Sequence, residues 1–173
     1  MIEQMAIPTP FGMAVVIFDD SLIGVDADGN PTSGAVTKVT IGEPLSQEVR
    51  MTSATCGMIS GVRFKLLQWL SGDFDALRGI GVQQPGTPFK QDVWQAMRNI
   101  PAGTTATYTE LAAAAGHVGA TRAAASVCAT NAIPLIVPCH RVVAADGLGG
   151  YFYGTDMKAK LLSLEGVDVS SLL

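Results

Sequence analysis

The sequence predicts a mixed α/β (α+β) chain, with a small antiparallel sheet and a helix in its first half and a helical second half. Three observations support this fold class. Short apolar stretches separated by turn residues run through positions 12–41, a pattern typical of strands joined by tight turns. Chain-breaking residues cluster at positions 83–88, and apolar residues at helical spacing follow them. We therefore expect an N-terminal α/β scaffold domain over 1–84 and a second domain over 85–173.

The first half is predicted to form three strands and one helix. The strands cover 12–18, 22–25 and about 35–41, and the turn Asp28-Gly29-Asn30-Pro31 follows the second of them. Apolar residues cluster between positions 62 and 70, just ahead of Ser71-Gly72, which indicates a helix packed on the sheet. This half shows no motif that carries chemistry, so we interpret it as a scaffold.

The second half begins with a predicted helix. Its apolar residues between positions 89 and 97 fall on one helical face, and the helix is expected to end near Asn99, ahead of Ile100-Pro101.

Two short helices across a tight turn come next. The first covers 108–115, with Thr107 as its N-cap, Glu110 completing a capping box and Gly116 ending it. Thr121 is expected to cap the second helix, over 122–130. This is the spacing of a helix-turn-helix, which also occurs in many proteins that never bind DNA.

Composition excludes several classes of protein. Of the 173 residues, 48% are hydrophobic and 15% are charged, which indicates a compact chain rather than a disordered one. No apolar stretch is long enough to span a membrane and no secretory signal is visible, so we expect a cytoplasmic protein without a membrane partner. The net charge of −4 lies entirely within residues 1–85. The neutral second half therefore permits DNA binding without predicting it.

The cysteines and histidines predict neither disulfides nor a metal site. Cys56, Cys128 and Cys139 are an odd number and lack the paired spacing of a zinc site. His117 and His140 are the only histidines, too few for a catalytic metal site built from imidazoles. We expect free thiols.

A polar triplet, Cys139-His140-Arg141, lies within the apolar segment 133–143. A thiol beside an imidazole and a guanidinium is a candidate nucleophile, because positive charge and a proton acceptor both favour the reactive thiolate. The competing interpretation is a buried structural cysteine. On this short motif alone that interpretation is favoured, since free cysteine is among the most buried residue types.

The second helix of the pair begins with a long cation, Arg122, followed by small side chains that include Ala123 and Ala124. Such a surface lets a helix approach a DNA groove closely while the arginine reaches beyond it. An alanine face packed against the protein core explains the same residues equally well.

An ordered series of motifs runs through the second half: Gly86-Thr87-Pro88-Phe89, Val93-Trp94, Ile100-Pro101-Ala102-Gly103, Tyr108 with Leu111-Ala112, Arg122-Ala123, Asn131, Pro138-Cys139-His140-Arg141-Val142, Gly150-Tyr151, Leu161-Leu162 and Glu165-Gly166. In this order and at this spacing, the motifs resemble the alkyltransferase domain of the O6-alkylguanine-DNA alkyltransferases, also called methylated-DNA-protein-cysteine methyltransferases. The first half resembles the N-terminal domain of that family only loosely.

The resemblance implies an RNase H-like N-terminal domain, a winged-helix-like helix-turn-helix domain and a function in DNA repair. After base flipping, Cys139 would irreversibly take up the alkyl group of O6-alkylguanine in double-stranded DNA. O4-alkylthymine is left open as a second substrate. Each molecule would act once and as a monomer. No cofactor is implied, because the damaged base is itself the alkyl donor.

The resemblance also implies roles for individual residues. Glu165 would orient His140, which reaches Cys139 through a water, and Tyr108 would donate a hydrogen bond to the guanine ring. Arg122 would replace the flipped nucleotide in the base stack, and Asn131 would brace the turn that leads to the cysteine. The residues implied to bind DNA or the extruded base are Arg122, Asn131, Ala123, Ala124, Val142, Tyr151 and Phe152.

Other functions stay open. A non-enzymatic sensor of alkylated DNA is one, although relatives of that kind lack the reactive cysteine present here as Cys139. An alkylation-responsive DNA-binding regulator is another, but its cysteine-rich zinc domain is absent from these residues. A generic cysteine hydrolase would leave the helix-turn-helix unexplained. The bulky residues Tyr151-Phe152-Tyr153 also motivate the hypothesis that methyl groups are preferred over large alkyl groups.

Overall fold

The structure is a computed structural model that describes residues 1–42 and 58–173. They divide into two compact units, Met1–Gln84 and Pro85–Leu173. The described residues form a three-stranded antiparallel sheet, a two-stranded pair and five α-helices, which confirms the mixed α/β prediction. Within these ranges every helix is too short or too polar to cross a membrane. Cys56 lies outside the described residues, while Cys128 and Cys139 are free thiols, as expected.

In the first unit, three strands pair in chain order: β1 (Ile2–Thr9), β2 (Gly12–Val25) and β3 (Pro31–Ile41). Strand β1 is not predicted from the sequence. Met5 and Ile7 alternate into the core there, but Ala6 between them makes the segment look like a plain apolar run and hides the period of two.

The predicted strands 12–18 and 22–25 are a single strand, so the separation expected at residues 19–21 is wrong. The pairing with β3 shifts register between Asp19 and Ile23, and β2 continues beyond the shift. The Asp19 carboxylate accepts hydrogen bonds from the backbone N and the Oγ of Ser21, at 3.0 and 2.6 Å. These polar groups therefore satisfy one another without ending the strand.

Helix α1 (Met58–Leu70) covers the predicted helix and begins earlier. Its residues Ile59, Val62, Leu66 and Trp69 recur at intervals of three or four positions and are all buried. They fill the core of the first unit, where α1 packs against β1.

The second unit contains four helices and a short parallel pair of strands: α2 (Pro88–Arg98), β4 (Ala106–Thr107), α3 (Tyr108–Ala114), α4 (Thr121–Ala129), β5 (Val142–Val143) and α5 (Thr155–Leu164). Val143, Leu148 and Leu162 form a core cluster that packs α5 against β5. Because β4 pairs with β5, the start of α3 lies beside the chain that leaves Cys139.

The helix ends agree with the ends predicted from the sequence, with one exception. The capping box predicted for α3 is present, with Glu110 N donating to Thr107 Oγ1 at 3.2 Å and Thr107 N donating to Glu110 Oε2 at 2.7 Å. A side-chain cap of this kind contributes about 1 kcal/mol. The prediction that Thr121 caps α4 is wrong. Thr121 is already the first helical residue, and its Oγ1 lies 3.2 Å from that of Thr109 instead.

Candidate active site

A cavity of about 350 Å³ opens within the second unit. Its wall comes from α4, the segment that leads to Cys139, the first residue of α3 and the loop ahead of α5. The lining residues are Tyr108, Ala125, Cys128, Ala129, Asn131, Pro134, Cys139, Gly150, Tyr151, Phe152 and Tyr153. The fold thus gathers, around one cavity, five residues that the sequence analysis selected from distant positions.

Cys139 begins a short 3-10 turn, Cys139–Arg141, and is 9% exposed. Asn131 holds the loop ahead of it, because Asn131 Nδ2 donates to Val137 O at 2.7 Å and Asn131 Oδ1 accepts from Ile133 N at 3.1 Å. Between these two contacts Leu135 has a φ of 71°, a conformation that is strained for a residue other than glycine. The amide brace therefore holds a strained loop that delivers the cysteine to the cavity.

Burial dominates the protonation of Cys139. It raises the pKa of the thiol, against a hydrogen bond from the Asn131 side chain and the positive charge of Lys158, which both lower it. The resting residue is therefore a thiol at neutral pH, and a base is needed to make it nucleophilic. The sequence pointed to Arg141 as the nearby cation, but the cation that acts on Cys139 is Lys158.

Arg141 instead binds Glu165. Its Nε and Nη2 donate to the two carboxylate oxygens at 2.9 and 2.7 Å, and its Nη1 donates to Ile100 O at 2.7 Å. His140 Nε2 lies 3.1 Å from Glu165 Oε2. Both His140 and Glu165 are buried, at 0% and 3% exposure. One buried carboxylate thus holds an imidazole and a guanidinium together, next in the chain to Cys139.

The protonation states of this group follow from its contacts. Burial alone would raise the pKa of Glu165, but hydrogen bonds from His140 and Arg141 outweigh it and lower the pKa to about 2, so Glu165 is a carboxylate. Burial lowers the pKa of His140, only partly offset by Glu165, so the imidazole is neutral at pH 7. With Nε2 facing a carboxylate, the proton belongs on Nε2. Nδ1 is left as the basic nitrogen, because Nε2 is the ring nitrogen that lies 3.1 Å from the carboxylate.

Tyr108, the first residue of α3, lines the cavity. Burial raises the pKa of its hydroxyl, the charge of Cys128 adds to the rise, and a hydrogen bond from the Gly150 backbone opposes it. The loop approaches Tyr108 closely at Gly149, whose φ is 71° and where a Cβ would lie 2.9 Å from the Tyr108 hydroxyl oxygen. Only glycine fits both the conformation and the space.

The other residues expected around the base differ in their surroundings. Tyr151 lines the cavity, and its buried hydroxyl has no hydrogen-bond partner among the described residues. Phe152 lies at the cavity with its side chain 82% exposed. The Val142 backbone is already engaged, since its N–H donates to Cys139 O and its carbonyl accepts from Lys158.

Lys158 is a residue of this region that the sequence analysis passed over. Its side chain is 0% exposed, and its Nζ donates to Val142 O at 2.5 Å and to Gly150 O at 3.0 Å. Burial lowers the pKa of Lys158 to about 8. A signal was present in the sequence, because Lys158 stands at helical spacing from the buried Leu161 and Leu162 and so belongs to the inward face of α5, which Glu165 caps.

Helix α4 separates the residues that were weighed as a DNA-binding surface. Arg122 and Ala123 are exposed, whereas Ala124 is 0% exposed and packs in the core. The Ala124 side chain is therefore out of reach of DNA, which corrects its predicted role there, while contact of Arg122 and Ala123 with DNA stays a prediction. Arg122 lies outside the cavity lining, so the structure does not bring it to Cys139. The described residues contain no cluster of metal-binding side chains.

Known proteins resemble this chain in sequence and in fold. A family model described as 6-O-methylguanine DNA methyltransferase, DNA binding domain, matches residues 88–167. The crystal structure of Mycobacterium tuberculosis O6-methylguanine methyltransferase is 31% identical, with a TM-score of 0.69 over 95% of this chain and 93% of that one. The chain belongs to the O6-methylguanine-DNA methyltransferase family.

Two further known proteins are similar to this chain. A structure described as Mycobacterium tuberculosis OGT in complex with DNA is 30% identical, with a TM-score of 0.69 over 92% of this chain and 90% of that one. The Escherichia coli (strain K12) protein named bifunctional transcriptional activator/DNA repair enzyme Ada is 54% identical over 81 residues. That match takes in 46% of this chain but only 23% of Ada, so the chain spans about a quarter of that relative.

Proposed function

We propose that this chain repairs DNA by transferring the alkyl group of O6-alkylguanine to Cys139 in one irreversible turnover. The observation that carries the proposal is the buried thiol of Cys139, which lines a cavity of about 350 Å³. The next residue in the chain, His140, is a buried imidazole held by the Glu165 carboxylate. The names of the relatives support it, since one Mycobacterium tuberculosis structure is of an O6-methylguanine methyltransferase and another is of a complex with DNA.

The chemistry is a displacement at carbon. The Cys139 sulfur forms a bond to the alkyl carbon while the bond from that carbon to O6 breaks, and guanine leaves with the electron pair. His140 Nδ1 takes the thiol proton through a bridging water, because neighbouring side chains diverge, and Glu165 stabilises the imidazolium that forms. Guanine takes up one proton on its ring and the imidazolium gives one up to water, so the proton that Cys139 loses is balanced. The product is a stable thioether, so the protein acts once.

The base has to leave the duplex to reach Cys139. Extrusion of a nucleotide costs a few kcal/mol, less for a damaged base. We propose that α3 and α4 act as a helix-turn-helix in a winged-helix-like unit, with Ala123 close to the groove and Arg122 filling the gap in the stack. The first unit would be an RNase H-like scaffold.

Inside the cavity the base would be held on several sides. Tyr108 donates to the guanine ring, and backbone groups of Cys139 and Val142 bind its edge. The Val142 carbonyl can do so although it accepts from Lys158, because a carbonyl oxygen has two lone pairs. Tyr151 and Phe152 cover the base from the loop ahead of α5.

Intact-protein mass after incubation with duplex DNA that contains O6-methylguanine tests the proposal. We expect a single stoichiometric gain of one methylene mass in the wild type and none in Cys139→Ser. The matched control is Cys128→Ser, which removes the second thiol of the same cavity and should gain the same mass as the wild type. Preferential binding of the damaged duplex without any gain in mass would show a lesion sensor instead.

The monomeric state and the cytoplasmic location stay predictions.

A further inference from the structure

Among the described residues two thiols line the cavity, and alkyl transfer as proposed above uses only one of them. Cys139 is the acceptor in that reaction. Cys128, near the end of α4, is half-buried and lines the same cavity. The fold therefore places a second soft nucleophile in the cavity that would receive the alkyl group.

Asn131 joins the backbones of the two cysteines. Its N–H donates to Cys128 O at 3.3 Å, and its Nδ2 donates to Val137 O at 2.7 Å. The same Val137 oxygen accepts from the Cys139 N–H at 2.9 Å. Each cysteine is thus one backbone hydrogen bond away from a pair of residues that the Asn131 amide holds together. This brace fixes the end of α4 beside the segment that carries Cys139.

The surroundings of Cys128 agree with this closeness. Burial raises the pKa of the Cys128 thiol to about 12, and the charge of Cys139 contributes to the rise, an effect that charges exert at short range. On α4, Ala125 lies three positions before Cys128 and Ala129 directly after it, and both line the cavity. Their small side chains leave room in the cavity for a short alkyl chain.

We propose that Cys128 is a second alkyl acceptor, which captures the far end of a bifunctional alkyl group after Cys139 has taken up its near end. The inference rests on the proposed function, because transfer to Cys139 is the step that brings the group into the cavity. The groups concerned are short chains with a leaving group on the far carbon, of which 2-chloroethyl is the simplest. The product is an ethylene bridge between the two sulfurs.

The atoms balance over two displacements at carbon. In the first, the Cys139 sulfur bonds to the carbon attached to O6 and guanine leaves as described above, so that Cys139 carries a 2-chloroethyl thioether. In the second, the Cys128 sulfur bonds to the carbon that holds the chlorine, and chloride leaves with the electron pair of the broken bond. The Cys128 thiol proton passes to water, so the second step releases HCl.

Attachment to Cys139 favours this second step, although Cys128 is a thiol at neutral pH. The attack is then intramolecular and needs no encounter between separate molecules. A thiol is also a softer nucleophile toward carbon than the hydroxyls of Tyr108 and Tyr151, which line the same cavity. Capture has a use, because a chloroethyl thioether left free is still an electrophile beside the DNA that has just been repaired.

Intact-protein mass after reaction with duplex DNA that contains O6-(2-chloroethyl)guanine tests the proposal. The duplex is freshly prepared, because N1 of the same guanine can displace the chloride. We expect the wild type to gain the chloroethyl group and lose HCl. Cys128→Ser should keep the chloroethyl group or exchange its chlorine for a hydroxyl. In a count of thiols after unfolding, the wild type should lose two of its three and Cys128→Ser only one.

Peptide mapping locates the bridge. Trypsin cuts after Arg122 and Arg141 and leaves both cysteines on peptide 123–141, and a further cut after Leu135 separates them. In the bridged wild type the two pieces should stay joined under reducing conditions, because thioether bonds are not reduced by thiols. The matched control substrate is O6-(2-hydroxyethyl)guanine duplex. It has no leaving group on the far carbon and should cost the wild type one thiol without a bridge.

The outcomes separate the two proposals. The role of Cys128 would be overturned, with alkyl transfer intact, if the wild type takes up methyl from O6-methylguanine but forms no bridge from the chloroethyl duplex. A bridge that persists in Cys128→Ser would overturn it as well, since another side chain would then be the acceptor. A wild type that gains nothing from either duplex would overturn the proposed function, and this inference with it. If Cys128→Ser does not fold, Cys128→Ala replaces it.

Discussion

Arg141→Met is expected to destabilise the second unit by about 3–5 kcal/mol, the usual cost of removing one partner from a buried ion pair. The structure gives the same magnitude. Arg141 makes two hydrogen bonds to the Glu165 carboxylate, at 2.9 and 2.7 Å, and a charge-assisted hydrogen bond contributes about 1.5–3 kcal/mol. A third, to Ile100 O at 2.7 Å, would leave a carbonyl without its donor. Glu165, 3% exposed, cannot turn to water instead.

Urea unfolding followed by helical circular dichroism measures this loss, because four of the five described α-helices lie in the second unit. The control is Asp92→Asn, which breaks the Asp92–His117 pair of the same unit. That pair is 2.9 Å long but has side chains that are 52% and 36% exposed, so we expect a cost below about 1 kcal/mol. Adding Glu165→Gln to Arg141→Met should recover part of the stability, since it removes the uncompensated charge.

The reasoning would be refuted if Arg141→Met cost no more than Asp92→Asn, or if the added Glu165→Gln lowered stability by as much as it does in the wild type. Either result would mean that Glu165 does not need the guanidinium.

Three further predictions concern pH and the cavity. The free energy of unfolding should decrease as the pH falls below about 6.5, because His140 takes up a proton in the unfolded chain but not in its buried position in the folded one. It should decrease again from pH 4.5 toward about 2, because Glu165 is protonated at a higher pH in the unfolded chain than in the folded one. Urea unfolding between pH 8 and pH 3 measures this, and a flat profile would contradict it. The pKa of Lys158 is about 8 in the folded chain and 10.5 in the unfolded one, so the unfolded chain binds more protons between these pH values. The free energy of unfolding of the wild type should therefore rise by up to about 3 kcal/mol relative to that of Lys158→Met as the pH rises through this window. The same dependence of stability on pH in both proteins would contradict a buried, titrating Lys158. Tyr153→Gly should raise the transfer rate from O6-benzylguanine relative to that from O6-methylguanine, because Tyr153 lines the cavity. An unchanged ratio of the two rates would show that the size of the Tyr153 side chain does not cause a preference for methyl groups.

Local signals in the sequence predicted the helical part well. The Thr107–Glu110 capping box needs only residues three apart, and the structure contains it as predicted. The apolar spacing before Asn99 likewise gives α2, which ends at Arg98. Strands were harder, because β1 is fixed by its pairing with β2 rather than by alternation along its own residues.

From its own residues the sequence predicts the candidate site only where one segment carries the chemistry, and the distant residues Tyr108, Asn131 and Glu165 were named through the family resemblance alone. Cys139 and His140 are adjacent, so a motif reveals them. Glu165 reads as a residue near a helix end, and only the fold brings it to 3.1 Å from His140. The relation of Lys158 to Gly150 could not be predicted, because it is a contact between a helix side chain and the backbone of a loop, and no residue type at Gly150 announces a carbonyl acceptor.

The raised pKa of the buried Cys139 thiol has a consequence for how long such a protein lasts in a cell exposed to alkylating agents. The agents that damage guanine are electrophiles that also attack exposed thiolates, and a protein consumed by one reaction would be used up by them before it met a lesion. A thiol kept protonated in a narrow cavity reacts slowly with electrophiles that diffuse past it. Under the proposed function the thiol needs to react only when an extruded base fills the cavity, so the same burial that slows the resting cysteine would preserve active protein for damaged DNA.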